Sequence, residues 1–399
     1  MRQGRSAWRA DFHGHSMKIY YPVPEPLPDP RARFLQIIHT CHALAQAGAE
    51  VHLITGLKPG YNAKRLLAFY GLAPEAGLSI TNLPLLRRQE TKQFRVSWHG
   101  VFHGALFFHL LGQRLTIRPK GLLFVRHLKL ARLLLSFRRL FGLPLVYEIH
   151  EFFHLTTANP AAREKLKKQE TAVYQKAAAL ICLTEHTRSR LIEIWGREKS
   201  VFVVPSAAPS EWLSQDPKPA GSHILYVGAL YPWKGVDTFI RAMKDLPREK
   251  ALIVGGGERL EFLKALAGQE GVAERVIFTG PVSHEAVLSF LNQAKIAVLP
   301  NAEEGTSPFS SPLKLFEYLA AGLPIVASDI PAFRDILKDG QNALLYEPSN
   351  PRALAEAVRR LVQNPALAEA LSRRAHQEAE LHTYPRRAQA LLAIFKTLV

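Results

Sequence analysis

Short apolar runs alternate along this chain with stretches in which apolar residues recur at helical spacing. Near the start, an apolar run at 18–22 is followed by a proline-rich loop at 22–30, a helical stretch at 33–47 and a second apolar run at 50–55. This spacing predicts two parallel strands joined by a crossover helix, because parallel strands need a connection of about a dozen residues or more. The unit recurs along the chain and predicts an α/β fold.

The alternation is interrupted at 206–222, where proline, alanine and serine replace the periodic apolar residues. We therefore predict two Rossmann-like, doubly wound domains at 17–205 and 223–384, joined by a linker at 206–222. A final helix at 385–399 is expected to pack back on the first domain. Open sheets of this kind bind ligands beyond the carboxyl ends of their strands, so the expected site is the central cleft between the domains.

Two segments show no regular period. Residues 1–16 lack the apolar core of a signal peptide and are interpreted as a disordered extension. Residues 58–93 are predicted to form a connecting loop with basic apolar pieces at 64–70 and 83–88. Those pieces fit either a solvated helix face or a membrane surface, and the sequence leaves both open.

Positive charge is concentrated in the first half of the chain. Residues 1–200 contain 30 lysines and arginines against 13 acidic residues, whereas residues 201–399 contain 21 of each. This asymmetry predicts that the first domain meets an anionic surface or substrate. Because no nucleic-acid-binding motif accompanies the basic residues, we expect anionic lipid headgroups as the partner and no nucleic acid.

The composition also predicts a cytoplasmic protein, peripheral on the inner face of the plasma membrane. No run of the about 18 apolar residues that a membrane span needs is present. Cys41 and Cys182 lie in apolar stretches and argue against a disulfide scaffold or a zinc site. His99 and His103 share a predicted helix, yet no acidic residue lies near them to complete a ligand set, so no metal is expected.

Three side chains stand where a phosphorylated ligand can bind. Glu317 lies in a short predicted helix after a proline- and serine-rich loop, where N–H groups can bind phosphate and the carboxylate can accept hydrogen bonds from a ribose diol. Lys234 directly precedes another predicted helix. His150 follows a predicted strand at 145–149 and is flanked by acidic residues. Taken alone, each also fits an ordinary αβ unit with a solvated side chain.

Several segments together carry a family resemblance. They are VGAL and KGVD between Val227 and Asp237, VGGGE at 254–258, FTG at 278–280, PLKLFEYLAAGLPIVASD at 312–329 and, more loosely, VYEIHE at 146–151. Over essentially 17–399 the chain resembles the retaining GT-B glycosyltransferases of family four, the glycosyl transferases group 1. The resemblance implies transfer of a hexosyl or N-acetylhexosaminyl group, with retention of configuration, to a polysaccharide, glycolipid or other glycan acceptor. The donor would be a UDP- or GDP-linked sugar, and no cofactor is implied.

The resemblance implies a role for each matched residue. Lys234 would neutralise the diphosphate, Glu317 would bind the ribose hydroxyls, and His150 would lie near the reacting sugar, which makes these three the catalytic candidates. The other donor-side candidates are Gly228, Gly255, Gly256, Val282 against the base, the phosphate loop Ser311, Pro312 and Leu313, and Lys314; the acceptor-side candidates are Arg31, Arg33 and Arg126.

The chain departs from the family pattern at three places. The family often has an arginine where this chain has Ala229, and Lys314 or a first-domain arginine is the expected substitute. A second family glutamate is replaced by Phe309, and Glu303 and Glu304 lie close enough to substitute for it if the loop has a different register. The glycine-rich loop after the first strand is replaced by the proline-rich segment 24–32. A nucleotide-sugar-binding protein without transfer activity, and a GT-B phosphorylase or epimerase, therefore remain alternatives to a transferase.

Overall fold

The computed structural model describes residues 17–85, 98–117, 121–213, 221–303 and 307–399. These residues form two domains, each built on one sheet whose strand pairings are all parallel. The first sheet contains β1 Lys18–Leu27, β2 Glu50–Leu57, β3 Leu78–Asn82, β4 Gly121–Val125, β5 Leu145–Ile149, β6 Ala179–Cys182 and β7 Val201–Val203. The second contains β8 His223–Val227, β9 Lys250–Val254, β10 Val276–Gly280, β11 Ala294–Leu299, β12 Ile325–Ser328 and β13 Leu344–Tyr346.

The strand orders are β3-β2-β1-β4-β5-β6-β7 and β10-β9-β8-β11-β12-β13. In each sheet the direction of winding therefore reverses once, between β1 and β4 in the first and between β8 and β11 in the second. Ligand clefts of open α/β sheets form at such reversals, beyond the carboxyl ends of the strands. The predicted pair of Rossmann-like, doubly wound domains is confirmed.

Helices cover both faces of the two sheets. In the first domain they are α1 Ala32–Gln46, α2 Ala63–Phe69, α3 Trp98–Ile117, α4 Leu128–Ser136, α5 Arg138–Phe141, α6 Phe153–Thr156, α7 Pro160–Lys176 and α8 Glu185–Trp195. The remaining helices are α9 Val236–Ala242, α10 Leu260–Gln269, α11 His284–Leu291, α12 Leu313–Ala320, α13 Pro331–Arg334, α14 Pro351–Gln363, α15 Pro365–Ala379 and α16 Tyr384–Lys396. No described helix combines the length and the apolar character of a membrane span.

The prediction of a connecting loop over 58–93 missed β3, whereas α2 lies where a helix was one of the alternatives. β3 is a five-residue strand at the sheet edge, and among the described strands it pairs only with β2. Its short, half-polar sequence gave too weak a strand signal, since strand preference depends on packing against neighbours. Residues 86–97 and the predicted extension 1–16 lie outside the described residues.

The proline-rich loop predicted at 22–30 is also corrected, because β1 continues through it to Leu27. β4 pairs with β1 only over residues 18–20, so the rest of β1, residues 21–27, has one open edge among the described strands. A proline on such an edge loses no ladder hydrogen bond, although it lacks an N–H. The extension carries the chain to the start of α1 and places Arg31 and Arg33 at the sheet's carboxyl edge.

Helix α16 returns to the first domain after the second domain ends. Its residues Tyr384, Ala388, Leu391 and Phe395 are buried in one apolar cluster with α1, β1 and β2. The Phe395 ring lies edge-on to Phe124 of β4, with centroids 5.2 Å apart. The last helix therefore completes the core on one face of the first sheet.

The two domains also meet at Phe309, in the short 3-10 turn Ser307–Phe309. The Phe309 side chain is 7% exposed. Its ring centroid lies 5.1 Å from that of Phe152 and 5.6 Å from that of His186, both in the first domain. Glu303, which the sequence offered as a substitute carboxylate, is exposed, and Glu304 lies outside the described residues. The position of the family's second glutamate is therefore filled by an apolar contact between domains.

We expect Phe309→Ala to lower the free energy of unfolding by about 3–5 kcal/mol, because it leaves a cavity between the domains. Phe262→Ala is the matched control, since Phe262 is 49% exposed on the second domain. Urea unfolding followed by fluorescence measures both variants. Equal free energies of unfolding for Phe309→Ala and Phe262→Ala would show that Phe309 does not stabilise the contact between the domains.

Candidate active site

A cavity of about 1580 Å³ opens at the carboxyl ends of the first domain's strands. The predicted residues that line it are His150, Arg31, Arg33 and Arg126. Every lining residue belongs to the first domain. The structure thus brings the catalytic histidine candidate together with the three acceptor-side candidates, and places Lys234 and Glu317 outside this lining.

His150 follows β5 and is held by a chain of buried charges. Its Nε2 lies 2.5 Å from Glu148 Oε1, and the other Glu148 oxygen accepts a hydrogen bond from Arg387 of α16. Arg387 also donates to the carbonyls of Val204 and Pro205, at 2.8 and 2.5 Å. The last helix therefore fixes the orientation of the histidine through one buried carboxylate.

The protonation states of this group follow from its burial. Burial lowers the pKa of His150 to about 4, aided by the charge of Arg126 and opposed by Glu148. Burial alone would raise the pKa of Glu148, but the charges of Arg387 and His150 outweigh it and lower the pKa to about 2. At neutral pH a neutral His150 donates its Nε2–H to the carboxylate, so Nδ1 carries a lone pair that can accept a hydrogen bond from a hydroxyl.

Two lysines share one environment in the second domain. Lys314 Nζ lies 3.6 Å from the centre of the Tyr226 ring, is buried, and has no hydrogen-bond partner among the described residues. Burial lowers its pKa well below the usual range, and the charge of Lys234 lowers it further while Glu317 opposes. Burial also lowers the pKa of Lys234 to about 8. Two lysines that are removed from water and repel each other are stabilised when an anion binds between them. The pair therefore favours an anionic ligand.

Lys314 stands next to the position where the family has an arginine. A Cβ atom added at Gly228 would lie 3.2 Å from Lys314 Nζ. Gly228 is the residue before Ala229, so the lysine on α12 supplies a cation beside the place where the arginine is missing. Its role as the substitute for the arginine stays a prediction.

Glycines allow the ends of three strands to approach closely. Gly255 has φ +134°, and a Cβ there would lie 2.1 Å from the carbonyl oxygen of Gly228. A Cβ at Gly256 would lie 2.7 Å from Cγ of Pro281. Side chains at either position would separate the loops that follow β8, β9 and β10. Their contact with a donor remains a prediction.

Glu317 faces helix α11, where its Oε1 lies 2.9 Å from Nε2 of His284. The His284 ring stacks on Trp212, with centroids 4.6 Å apart, and meets His39 of α1 edge-on at 6.2 Å. The sequence analysis missed His284 and Trp212, because no motif connects residues so far apart in the chain. The available signal was the proximity of His284 to Val282, the predicted base contact, which packs against the second-domain core.

The predicted phosphate loop touches the first domain on one side. The Ser206 N–H donates to Ser311 Oγ at 3.2 Å, and Ser206 Oγ donates to the Ser311 carbonyl at 2.9 Å. Leu313 packs against the apolar cluster of the first domain. Pro312 occupies the N-cap position of α12 and provides no side-chain cap, so the first N–H groups of that helix remain available to an anion.

The three acceptor-side arginines differ in their partners. Arg31 is exposed and makes two hydrogen bonds to Asp29, at 2.8 and 2.6 Å. Arg33 Nη2 lies 3.0 Å from Glu25 Oε1. Arg126 donates to the Arg33 carbonyl and to Gln36, both at 3.2 Å.

Two family models match the chain. The model described as glycosyl transferases group 1 matches residues 214–378, and the glycosyl transferase 4-like domain matches residues 36–207. Among curated relatives, the chain is similar to an alpha-D-kanosaminyltransferase of Streptomyces kanamyceticus, with 27% identity over 59% of this chain and 66% of the relative. It is also 27% identical to a D-inositol 3-phosphate glycosyltransferase of a Nocardioides species, over 64% of this chain and 62% of the relative. The match thus spans less than two thirds of each relative.

Solved structures show the same architecture across nearly the whole chain. Sucrose-phosphate synthase from Thermosynechococcus elongatus superposes with a TM-score of 0.77 at 18% identity, covering 96% of this chain and 99% of the other. Anabaena HepE in complex with UDP-glucose superposes with a TM-score of 0.73 at 16% identity, covering 96% and 100%. At these identities the similarity establishes the fold.

We expect Arg387→Met to lower the free energy of unfolding at pH 7 by about 3–5 kcal/mol, because it leaves Glu148 buried with its main counter-charge removed. Glu148 titrates at about 2 when folded, against an ordinary 4.5, so the stability it contributes is fully present above pH 4.5 and is lost as the pH falls towards 2. His150 adds a loss between pH 6.5 and 4, since the unfolded chain binds that proton first.

Urea unfolding between pH 7 and pH 3 measures this effect. The exposed neighbour Arg386 offers the matched control, Arg386→Met. The wild type and the control should lose stability steeply below pH 4.5, and Arg387→Met should show a flatter profile. Identical profiles for the two variants would contradict the assignment of Arg387 as the counter-charge.

Proposed function

Because the chain belongs to the glycosyl transferases group 1 family, we propose that it transfers a sugar from a nucleoside diphosphate sugar to a glycan or lipid-linked acceptor with retention of configuration. The observation that carries the proposal is the pair of lysines, Lys314 and Lys234, at the start of α12 and before α9. Catalysis of such a transfer needs positive charge and N–H donors where the leaving diphosphate develops negative charge. Both are present here.

The proposed donor extends from these lysines towards Glu317. Its diphosphate would lie between the two ammonium groups and the N–H groups that open α12. Its ribose hydroxyls would donate to the Glu317 carboxylate, which already holds His284 as a partner. The base would lie beside Val282. A UDP- or GDP-linked hexose fits this chemistry; HepE, whose fold this chain shares, was solved with UDP-glucose.

The proposed transfer balances without a cofactor. The acceptor oxygen bonds to the anomeric carbon as the bond from that carbon to the diphosphate oxygen breaks. The electron pair of the broken bond and the acceptor proton both leave with the nucleoside diphosphate. His150, neutral at pH 7, would accept a hydrogen bond from a sugar hydroxyl through Nδ1 and so orient the reacting groups.

A membrane contact by the first domain completes the proposal. Phe108 and Leu115 lie two turns apart on α3 and are 71% and 77% exposed. Arg114 lies 3.3 Å from a Cβ placed at Gly142, so it shares a surface with the end of α5, whose Arg138 and Arg139 are exposed. Apolar side chains beside arginines are typical of a surface that rests on anionic headgroups at the inner face of the plasma membrane.

The test of transfer is a screen of UDP- and GDP-sugars against glycan and lipid-linked acceptors, with products identified by mass spectrometry. Product with the same anomeric configuration as the donor supports the proposal. Tight donor binding without product across the panel would instead favour a binding protein without transfer activity. The apolar docking of Phe309, where the family has a glutamate, is the observation that favours this second function. Transfer to inorganic phosphate would indicate a phosphorylase.

We expect Lys314→Met to lower kcat/KM by about 10²- to 10³-fold, because one cation at the leaving group is lost. The same variant should raise the free energy of unfolding by about 1–2 kcal/mol, since a buried unpaired ammonium is replaced by an apolar chain that forgoes only the contact with the Tyr226 ring. Lys250→Met, at an exposed position, is the control. If Lys314→Met lost stability as well as activity, Lys314 would have a structural role and the proposed contact with the diphosphate would be contradicted.

We expect Arg138→Gln/Arg139→Gln to weaken binding to anionic vesicles by more than about tenfold, at about 1 kcal/mol per basic residue near the surface. Phe108→Ser should also weaken binding, whereas Phe262→Ser on the second domain should not. Sedimentation at low salt with phosphatidylcholine vesicles, with and without phosphatidylglycerol, measures the binding of the wild type and of each variant. Equal recovery of wild type and variants in the pellet would refute this surface.

A further inference from the structure

The first-domain cavity is lined by more positively than negatively charged side chains. Its lining contains five lysines and arginines but only two carboxylates, those of Glu25 and Glu151. Clefts lined by an excess of one sign of charge raise the local concentration of ligands of the opposite sign. This lining is therefore better matched to a ligand that carries negative charge.

Not all of the five cations are neutralised by the protein. Arg31 is paired with Asp29, and Arg33 is paired with Glu25. Lys58, Arg126 and Lys129 have no carboxylate within 4.0 Å among the described residues. These three line the cavity from the ends of β2 and β4 and from the first turn of α4. They form the unpaired basic group of the cavity.

One nitrogen atom of Arg33 also lacks a partner in the part of the protein that the structure describes. Its Nε is buried and has no hydrogen-bond partner among the described residues. Burial lowers the pKa of Arg33, partly compensated by Glu25 and reinforced by the charges of Arg31 and Arg126. A buried donor left without an acceptor costs about 1–3 kcal/mol, and an anionic ligand in the cavity would remove that cost.

The backbone adds donors on the same side. Helix α1 begins directly after Arg31, with no acidic residue in its first turn and no side-chain cap. Helix α4 also lacks an acidic residue in its first turn, and residues 127–129 at its start line the cavity, although His127 Nδ1 accepts a hydrogen bond from the Leu130 N–H at 3.2 Å. The uncapped N-terminus of α1 thus adds partial positive charge on the side of the unpaired basic group, and the dipole of α4 has the same direction at its capped start.

We propose that the acceptor carries a phosphate ester, held by Lys58, Arg126 and Lys129, while its hydroxyl faces His150 in the same cavity. The phosphate takes no part in the reaction and serves to position the acceptor. This inference rests on the proposed transferase function and names the acceptor class for it. The phosphate belongs either to a soluble sugar phosphate or to the phosphate of a lipid carrier, since both present the same group.

The test is lysine footprinting on the full chain. Limited acetylation with N-hydroxysuccinimidyl acetate is followed by mass spectrometry, with inorganic pyrophosphate as the probe. When its concentration is ten times its dissociation constant, pyrophosphate occupies about nine tenths of the sites and should lower the acetylation of Lys58 and Lys129 about tenfold. The acetylation of the exposed Lys250 should not change. Protection of the second-domain lysines alone, or of none, would overturn the proposal.

A variant series locates the anion within the cavity. Arg126→Gln should abolish the protection of both lysines. Lys58→Gln, at an exposed position after β2, should weaken the protection of Lys129 and serves as the second variant if Arg126→Gln does not fold. Unchanged protection in a folded Arg126→Gln or in Lys58→Gln would overturn the proposal. Glucose 6-phosphate and farnesyl phosphate, compared with glucose and farnesol, then distinguish the soluble source from the lipid source.

Failure of the proposed function gives a different result. Release of nucleoside diphosphate from UDP- and GDP-sugars is measured with the same phosphorylated and unphosphorylated acceptors. Turnover only with phosphorylated acceptors supports the inference. Turnover with neutral acceptors and no protection by pyrophosphate would refute the phosphate site and leave the transferase intact. Protection without any turnover would refute the transferase and leave the anion site intact.

Discussion

The buried pair of Arg387 and Glu148 is the interaction on which the fold and the cavity both depend. Both side chains are 2% exposed, and removing two charges from water is favourable only when every charge finds partners. Here the carboxylate is shared by Arg387 and His150, and the guanidinium also binds the carbonyls of Val204 and Pro205. One pair therefore ties the last helix to β5, to the end of the first domain and to the catalytic histidine candidate.

Two other cationic side chains have a buried nitrogen atom that makes no hydrogen bond to any described residue. Lys314 Nζ and Arg33 Nε are buried without a hydrogen-bond partner among the described residues, whereas every guanidinium nitrogen of Arg387 has one. A native fold tolerates such groups where a ligand supplies the missing partner, and the two lie at different sheet edges. One deficit faces the proposed leaving group and the other faces the proposed acceptor. Under these proposals, both groups without a hydrogen-bond partner lie where a substrate would bind.

The alternation of apolar runs was enough to predict both sheets, because parallel strands and crossover helices leave a strong periodic pattern. It failed for β3, whose five half-polar residues become a strand only through pairing with β2, and for β1, whose prolines lie along an open edge. Lys314 could be suggested from the sequence because Ala229 left a vacancy in a known motif. The contacts of Glu148 with Arg387 and of Glu317 with His284 join distant segments, and no local pattern encodes them.

The two departures at 229 and 309 have opposite consequences for the proposed reaction. Under the proposed function Lys314, whose Nζ lies 3.2 Å from a Cβ placed at Gly228, would supply the charge that the missing arginine does not. Among the described residues no carboxylate takes the place of the missing glutamate, because Phe309 packs against Phe152 and Glu303 is exposed. If the proposed donor binds there, one carboxylate fewer would leave its site more positive and without that acceptor for sugar hydroxyls. Under the proposed function, sugar recognition therefore shifts towards the first domain, where His150 offers the acceptor atom.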